Sequence, residues 1–194
     1  RFYRLKGDEV FLLTGTDEHG QKIEQAATAA GKTPQAYVDE VVEHFMALWK
    51  LLNISYDDFI RTTQPRHEKA VQAILTKLYN EKKLFRSEYQ GWYCTPDETF
   101  WTDAELAQVE RSSKPLCPSC QRGLEPVKED GWHLPLRASQ AWLRAFLAAR
   151  RGFIQPESRY NEIASLLERP LPEQLCLTRP KRRVGWGIPV PFSP

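Results

Sequence analysis

The stretch that most constrains the fold is Leu12-Leu13-Thr14-Gly15-Thr16-Asp17-Glu18-His19-Gly20. The apolar run Val10 to Leu13 stops abruptly at small and ionisable residues, and Gly20 opens a helical pattern. That order reads as a buried strand spanning Glu9 to Thr14, a turn at its carboxyl end, and a helix from Gly20 to Ala30 that Gly31 ends. In open α/β sheets, ligands bind outside the carboxyl ends of strands. The turn therefore has two readings: Thr16 or Asp17 caps the next helix, or Asp17 and His19 belong to a binding site.

The downstream pattern extends an α/β fold. Arg1 to Lys6 reads as the last turns of a helix that Gly7 ends. Thr33-Pro34 suits an N-cap and a first helical position. Val38, Val41, Val42, Phe45, Leu48, Trp49 and Leu52 then form one apolar helical face, and Asn53 stops it. A second strand is expected within Ile54 to Thr63, and a third helix from Pro65 to about Lys82 with Ala70, Val71, Ile74, Leu75 and Leu78 as its face. Strand, helix, helix, strand, helix is the alternation of a parallel sheet with crossover helices.

The texture changes after Leu84. Leu84 to Cys94 alternates aromatic and polar residues around Gly91 and reads as a hairpin; Thr95 to Trp132 is turn-rich. Helices are expected at Ala138 to Arg150 and around Ser158 to Glu168, with a short strand from Leu175 to Thr178. This divides the chain into residues 1–84, the first part of an α/β domain; residues 85–174, an insert; and residues 175–194, the return into the α/β domain.

Four cysteines are present. Cys94-Thr95-Pro96-Asp97 and Cys117-Pro118-Ser119-Cys120 are two pairs with two-residue spacers, the pattern of a zinc ribbon in which Asp97 stands at one usual cysteine position. Such a spacer lets one tight turn aim both side chains at a single ion, and two turns complete a tetrahedron. Asp97 is the expected fourth ligand; the alternative is that Asp97 caps the following turn and His133 or water completes the set. Cys176 reads as a core thiol. A net charge of +2, with 41% hydrophobic residues, gives a polyanion no general attraction. No apolar run reaches the 18 or so residues of a membrane span.

These phrases together resemble the methionyl-tRNA synthetase family of class I aminoacyl-tRNA synthetases. The matching residues are Arg1-Phe2-Tyr3-Arg4 followed by Gly7 to Gly20, Asp58-Phe59-Ile60-Arg61-Thr62-Thr63, Gly91-Trp92-Tyr93-Cys94, the Cys117/Cys120 knuckle, and Leu177-Thr178-Arg179-Pro180 leading into Trp186-Gly187-Ile188-Pro189-Val190-Pro191. They stand in the family's order and span nearly the whole chain. The resemblance implies a partial Rossmann-type parallel-sheet catalytic domain interrupted by a small zinc-ribbon connective insert. It implies formation of methionyl-adenylate from methionine and ATP with Mg2+, transfer to tRNA(Met) and structural Zn2+; the expected setting is cytoplasmic, with a mitochondrial or plastid one left open. By the same resemblance Asp17 accepts hydrogen bonds from the substrate ammonium group, with Thr16, His19 and Gly20 lining the pocket. Arg179 stands near the active site to hold phosphate or carboxylate groups. Lys181, Arg182 and Arg183 face either the tRNA backbone or solvent.

Both termini read as internal to a longer protein. The nucleotide-binding histidine signature is expected before Arg1; the lysine-rich mobile loop and anticodon-binding domain are expected after Pro194. The insert is too small for a hydrolytic editing domain. Three rivals stand beside this reading: another class I synthetase; a non-catalytic zinc-ribbon nucleic-acid-binding module, which would need a basic face with exposed aromatics; and a fragment without catalysis of its own, the expectation for this chain taken alone.

Overall fold

The computed structural model describes residues 1–106 and 115–192. Part of the turn-rich stretch, residues 107–114, and the last two residues of the expected return segment lie outside that description. The chain divides into two compact units: residues 1–77, 90–127 and 180–194 form the larger, and residues 78–89 and 128–179 the smaller.

The larger unit begins with a short helix α1 (Phe2–Leu5), followed by strand β1 (Leu13–Thr16), helices α2 (Gln21–Ala29) and α3 (Pro34–Leu51), strand β2 (Asp58–Arg61) and helix α4 (Pro65–Asn80), whose last turn passes into the smaller unit. β1 and β2 pair in parallel, with Leu13 opposite Asp58 and Thr16 opposite Arg61. Parallel strands need a crossover, and α2 and α3 supply it. Gly15 is required in this pairing, because a Cβ there would run into the backbone carbonyl of Ile60. Thr33 caps α3 as expected, its hydroxyl accepting from the Ala36 N–H at 3.2 Å. Asn53 ends that helix region with a positive φ of 50°, a conformation Asn tolerates better than most side chains.

Two expectations change here. β1 begins at Leu13, not Glu9, and its apolar approach is not buried: Phe11 is 73% exposed and Leu13 53%. Among the described residues β2 is its one strand neighbour, and a parallel strand is buried only when layers cover both faces and both edges. On α4, Ala70 and Ile74 face solvent, while Val71, Leu75 and Leu78 are half-buried.

The expected hairpin is present but its turn lies elsewhere. Phe85 to Cys94 is one continuous strand, β3, with Gly91 inside it, and β3 pairs antiparallel with β4 (Thr99–Trp101), Cys94 opposite Thr99. The reversal falls at Thr95 to Glu98, where Glu98 takes a positive φ of 50°. Pro96 and Asp97 are the stronger turn formers, and Gly91 is tolerated mid-strand. A short helix α5 (Asp103–Leu106) follows.

β5 (Glu125–Leu134) starts in the larger unit and ends in the smaller. The smaller unit carries α6 (Gln140–Ala149), α7 (Glu157–Glu168) and β6 (Leu175–Cys176), which pairs antiparallel with β5, His133 opposite Cys176. The four-stranded sheet runs in the order β4-β3-β5-β6. α6 and α7 pack through Leu147, Leu167 and Leu171, with Leu143, Phe146, Ile154, Tyr160 and Ile163 around them. Among the described residues, no helix is long and apolar enough to cross a membrane.

Candidate substrate turn and metal centre

The turn after β1 does not cap the helix that follows it. The N-cap of α2 is Gly20, with φ 140° and no side-chain cap bond, so neither Thr16 nor Asp17 serves that purpose. Asp17 is exposed; Glu18, its neighbour, is 2% exposed and accepts three side-chain hydrogen bonds. Glu18 Oε1 accepts from Thr16 Oγ1 at 2.6 Å and from Arg61 Nε at 2.7 Å, and Oε2 accepts from Thr63 Oγ1 at 2.5 Å. The same guanidinium donates from its Nη2 to Asp39 on α3 at 2.6 Å. A buried carboxylate is tolerable only with such pairing. The bonded Glu18 carboxylate, and after it Asp39, hold the Arg61 guanidinium even more firmly protonated than usual. The reciprocal bond from Arg61 keeps the Asp39 carboxyl below the ordinary carboxylate range.

Glu18 is the residue that sequence reasoning passed over. One signal was available: the pair Arg61 and Thr63 at the carboxyl end of the second strand, which parallel pairing must bring beside the end of the first.

The turn is closed by the far end of the chain. The His19 ring lies 4.9 Å from Trp186, tilted by 54°, and Trp186 Nε1 donates to the Gly20 carbonyl at 3.3 Å. The Gly185 N–H donates to Glu24 at 3.3 Å, and Arg183 donates to Gln21 at 3.4 Å while its guanidinium sits 4.7 Å from the Tyr93 ring centre. Arg183 is thus engaged with α2 and β3. Neither nitrogen of the half-buried His19 ring has a hydrogen-bond partner among the described residues. Thr16, Asp17, His19 and Gly20 lie in this one turn, and Glu18, Thr62 and Trp186 are bonded or packed to it. Arg179 belongs to the smaller unit, where its guanidinium donates to the Thr178 carbonyl at 3.0 Å.

The second cluster joins the β3–β4 turn to the loop after it. Ligand atoms of Cys94, Asp97, Cys117 and Cys120 all lie within 4.8 Å of one another. Cys94 and Cys120 sulfurs are 3.5 Å apart, and the Cys117 thiol donates to Asp97 Oδ2 at 3.2 Å. Zinc–sulfur bonds of about 2.3 Å in a tetrahedron put ligand sulfurs roughly 3.8 Å apart, so the observed spacing fits one ion. Cys94 and Cys117 are fully buried and Leu124 packs on them, with Trp92 and Trp101 alongside.

Burial pushes the Cys94 thiol up to about 12. Burial also acts to raise Cys117, but the backbone N–H groups of Cys120 and Ser119 outweigh it and leave that thiol below its ordinary value. Hydrogen bonds from Cys117 and Cys120 hold the Asp97 carboxyl low. Three sulfurs and one carboxylate are a donor set suited to zinc. His133 does not belong to the cluster: it is 1% exposed, its ring lies 5.9 Å from Phe85, and its Nδ1 bonds the Gly131 carbonyl at 3.1 Å. The strand alternation that buries every second residue of β5 aims His133 into the core.

Comparison with known proteins agrees with this architecture. A family model described as tRNA synthetases class I (M) matches residues 1–194. A methionine–tRNA ligase of Clostridium acetobutylicum is 45% identical over 193 residues, covering 100% of this chain and 29% of that protein. One from Caldanaerobacter subterraneus subsp. tengcongensis is 46% identical over 194 residues, again covering 100% of this chain and 29% of the relative. The chain thus spans under a third of the length of these curated relatives. Among solved structures, Mycobacterium tuberculosis methionyl-tRNA synthetase bound by methionyl-adenylate superposes with a TM-score of 0.86 at 33% identity, over 98% of this chain and 37% of that one. With its whole length inside the family match, the chain belongs to the class I tRNA synthetases of the methionine type.

Proposed function

We propose that this chain forms part of a methionine–tRNA ligase, which activates methionine with ATP and Mg2+ to methionyl-adenylate and passes the aminoacyl group to tRNA(Met) in the cytoplasm. The observation that carries this reading is the exposed Asp17 carboxylate at the carboxyl ends of a parallel strand pair, beside a buried, fully bonded Glu18. An ionised acceptor fixed to a rigid turn suits the substrate ammonium group, since charge-assisted hydrogen bonds are the stronger ones. In this reading Thr16 and Gly20 shape the pocket, and His19 offers it a ring nitrogen. The work of the turn is positioning, not proton transfer. Arg179 would hold phosphate or carboxylate groups of the reactants. Residues 1–84 and 175–194 belong to the Rossmann-type catalytic domain and residues 85–174 to the connective insert.

Cys94, Asp97, Cys117 and Cys120 would hold one Zn2+, which supplies a structural cross-link between the β3–β4 turn and the following loop. A closed four-ligand set leaves no position for a reactive water.

Methionine-dependent pyrophosphate exchange by the full-length protein tests the main reading. Asp17→Ala should abolish exchange while the fold is retained; exchange close to wild type would refute the role given to Asp17.

A further inference from the structure

Two strands ending side by side place Thr62 against Asp17. The β1–β2 register continues one residue past the strands, through the Thr62 N–H to the Thr16 carbonyl at 3.2 Å. The Thr62 side chain therefore stands over the first residues of the turn. Its Oγ1 accepts from the Glu18 N–H at 2.8 Å and lies 3.4 Å from Asp17 Oδ1. A carboxylate is an acceptor only, so the hydroxyl must donate to it. The backbone N–H of Glu18 takes an Oγ1 lone pair and thereby turns the hydroxyl proton toward Asp17. Threonine is β-branched and stiff at χ1, which keeps this oxygen in place. Among the described residues, Thr62 is the one side chain that hydrogen-bonds Asp17.

Beneath this pair lies the anchored half of the turn. Glu18 is gripped by Thr16, Arg61 and Thr63 from both strand ends. Two adjacent acids thus have opposite fates: Glu18 points inward and holds the backbone, and Asp17 points outward with one carboxylate oxygen steadied.

We propose that Thr62 is a positioning residue that sets the Asp17 carboxylate for the substrate ammonium group, acting through Asp17 without touching substrate; this rests on the ammonium-acceptor reading of Asp17. An unsteadied Asp17 still attracts an ammonium but must lose rotamer freedom when it binds, so the effect falls on substrate affinity.

The test is a double-mutant cycle in the full-length protein, read as KM for methionine and kcat of pyrophosphate exchange, with thermal unfolding measured for each variant. Thr62→Val should raise KM for methionine roughly threefold to fivefold, because the 3.4 Å contact is long and exposed and so lies at the lower end of a net hydrogen bond, with kcat within about twofold of wild type. Thr62→Ser, which restores the hydroxyl, should return KM to within about 1.5-fold of wild type. In an Asp17→Ala background no side-chain oxygen remains for the hydroxyl to donate to, so Thr62→Val should add little, read there as methionine affinity by calorimetry because exchange is lost. If Thr62→Val does not fold, Thr62→Ala against Thr62→Ser carries the same comparison. An unchanged KM, no rescue by serine, or the same rise in both backgrounds overturns the positioning role. Asp17→Ala that itself leaves methionine affinity unchanged overturns the reading of Asp17, a result separable from the other three.

Discussion

Removing the Glu18 carboxylate strands the Arg61 guanidinium that it neutralises. Both partners are well buried, with side-chain exposures of 3% for Glu18 and 19% for Arg61. Breaking a buried pair by deleting one partner costs about 3–5 kcal/mol. The lower end applies, because Arg61 keeps its bond to Asp39, which is half exposed. Glu18→Ala should therefore lose about 3 kcal/mol, and with a urea slope near 2 kcal/mol/M the unfolding midpoint should fall by roughly 1.5 M. Equilibrium urea unfolding followed by tryptophan fluorescence reads this directly, since Trp186 sits on the turn. Glu18→Gln keeps a carbonyl oxygen for Arg61 but turns an amide NH2 toward the Thr63 hydroxyl, so it should cost about half as much. Replacing both partners, Glu18→Leu with Arg61→Leu, should recover much of the loss, because apolar side chains need no counter-charge. A midpoint shift below about 0.5 M for Glu18→Ala, or equal losses for alanine and glutamine, would refute the claim that the pair anchors the turn.

Three further outcomes are expected. Zinc should copurify with the protein at about one ion per chain by elemental analysis, and Asp97→Cys should slow its loss to a chelator, since thiolate binds zinc more tightly than carboxylate; faster loss would remove Asp97 from the ligand set. Gly15→Ala should cost at least about 3 kcal/mol in a urea titration, because the new methyl meets the backbone of Ile60 rather than a movable side chain; a neutral variant would mean the strands can separate freely. Asp39 has a folded-state pKa held below its ordinary value, so its share of stability is complete above pH ~4 and is lost as pH falls through the folded value. Asp39→Asn should therefore flatten the loss of stability below about pH 4, and only slightly, given the exposure of the group; a change confined to pH above 5 would contradict this.

What could be read in advance follows the range of the interactions. The strand–turn–helix order, the Thr33 cap and the parallel pairing rest on local signals, and each is found. The cysteine pairs were legible for the same reason, a fixed short spacing, and Asp97 joins them because Pro96-Asp97 makes the reversal of the hairpin. Gly91 misled because glycine marks turns more often than strand interiors, yet here the alternating aromatics kept β3 continuous. His133 offered a metal-binding side chain with nothing local to say that strand alternation buries it. Glu18 and Thr62 were illegible on their own, because each gains its meaning from residues 43 to 45 positions away.

That separation has a consequence for how the protein is made. Closing a loop of about 45 residues costs roughly 3 kcal/mol of chain entropy, and the turn's bonds to Arg61, Thr62 and Thr63 repay it only when the ends of both strands meet. α2 and α3, whose contacts are local, are free to form first. On a ribosome, Asp17 stays unsupported until residue 63 has emerged, and its aromatic cover waits for Trp186, 166 positions beyond the Gly20 carbonyl it bonds. The turn is assembled in two stages, its bonds to the second strand early and its aromatic cover late. A slow or arrested translation between those points would leave a folded strand pair with His19 open to solvent.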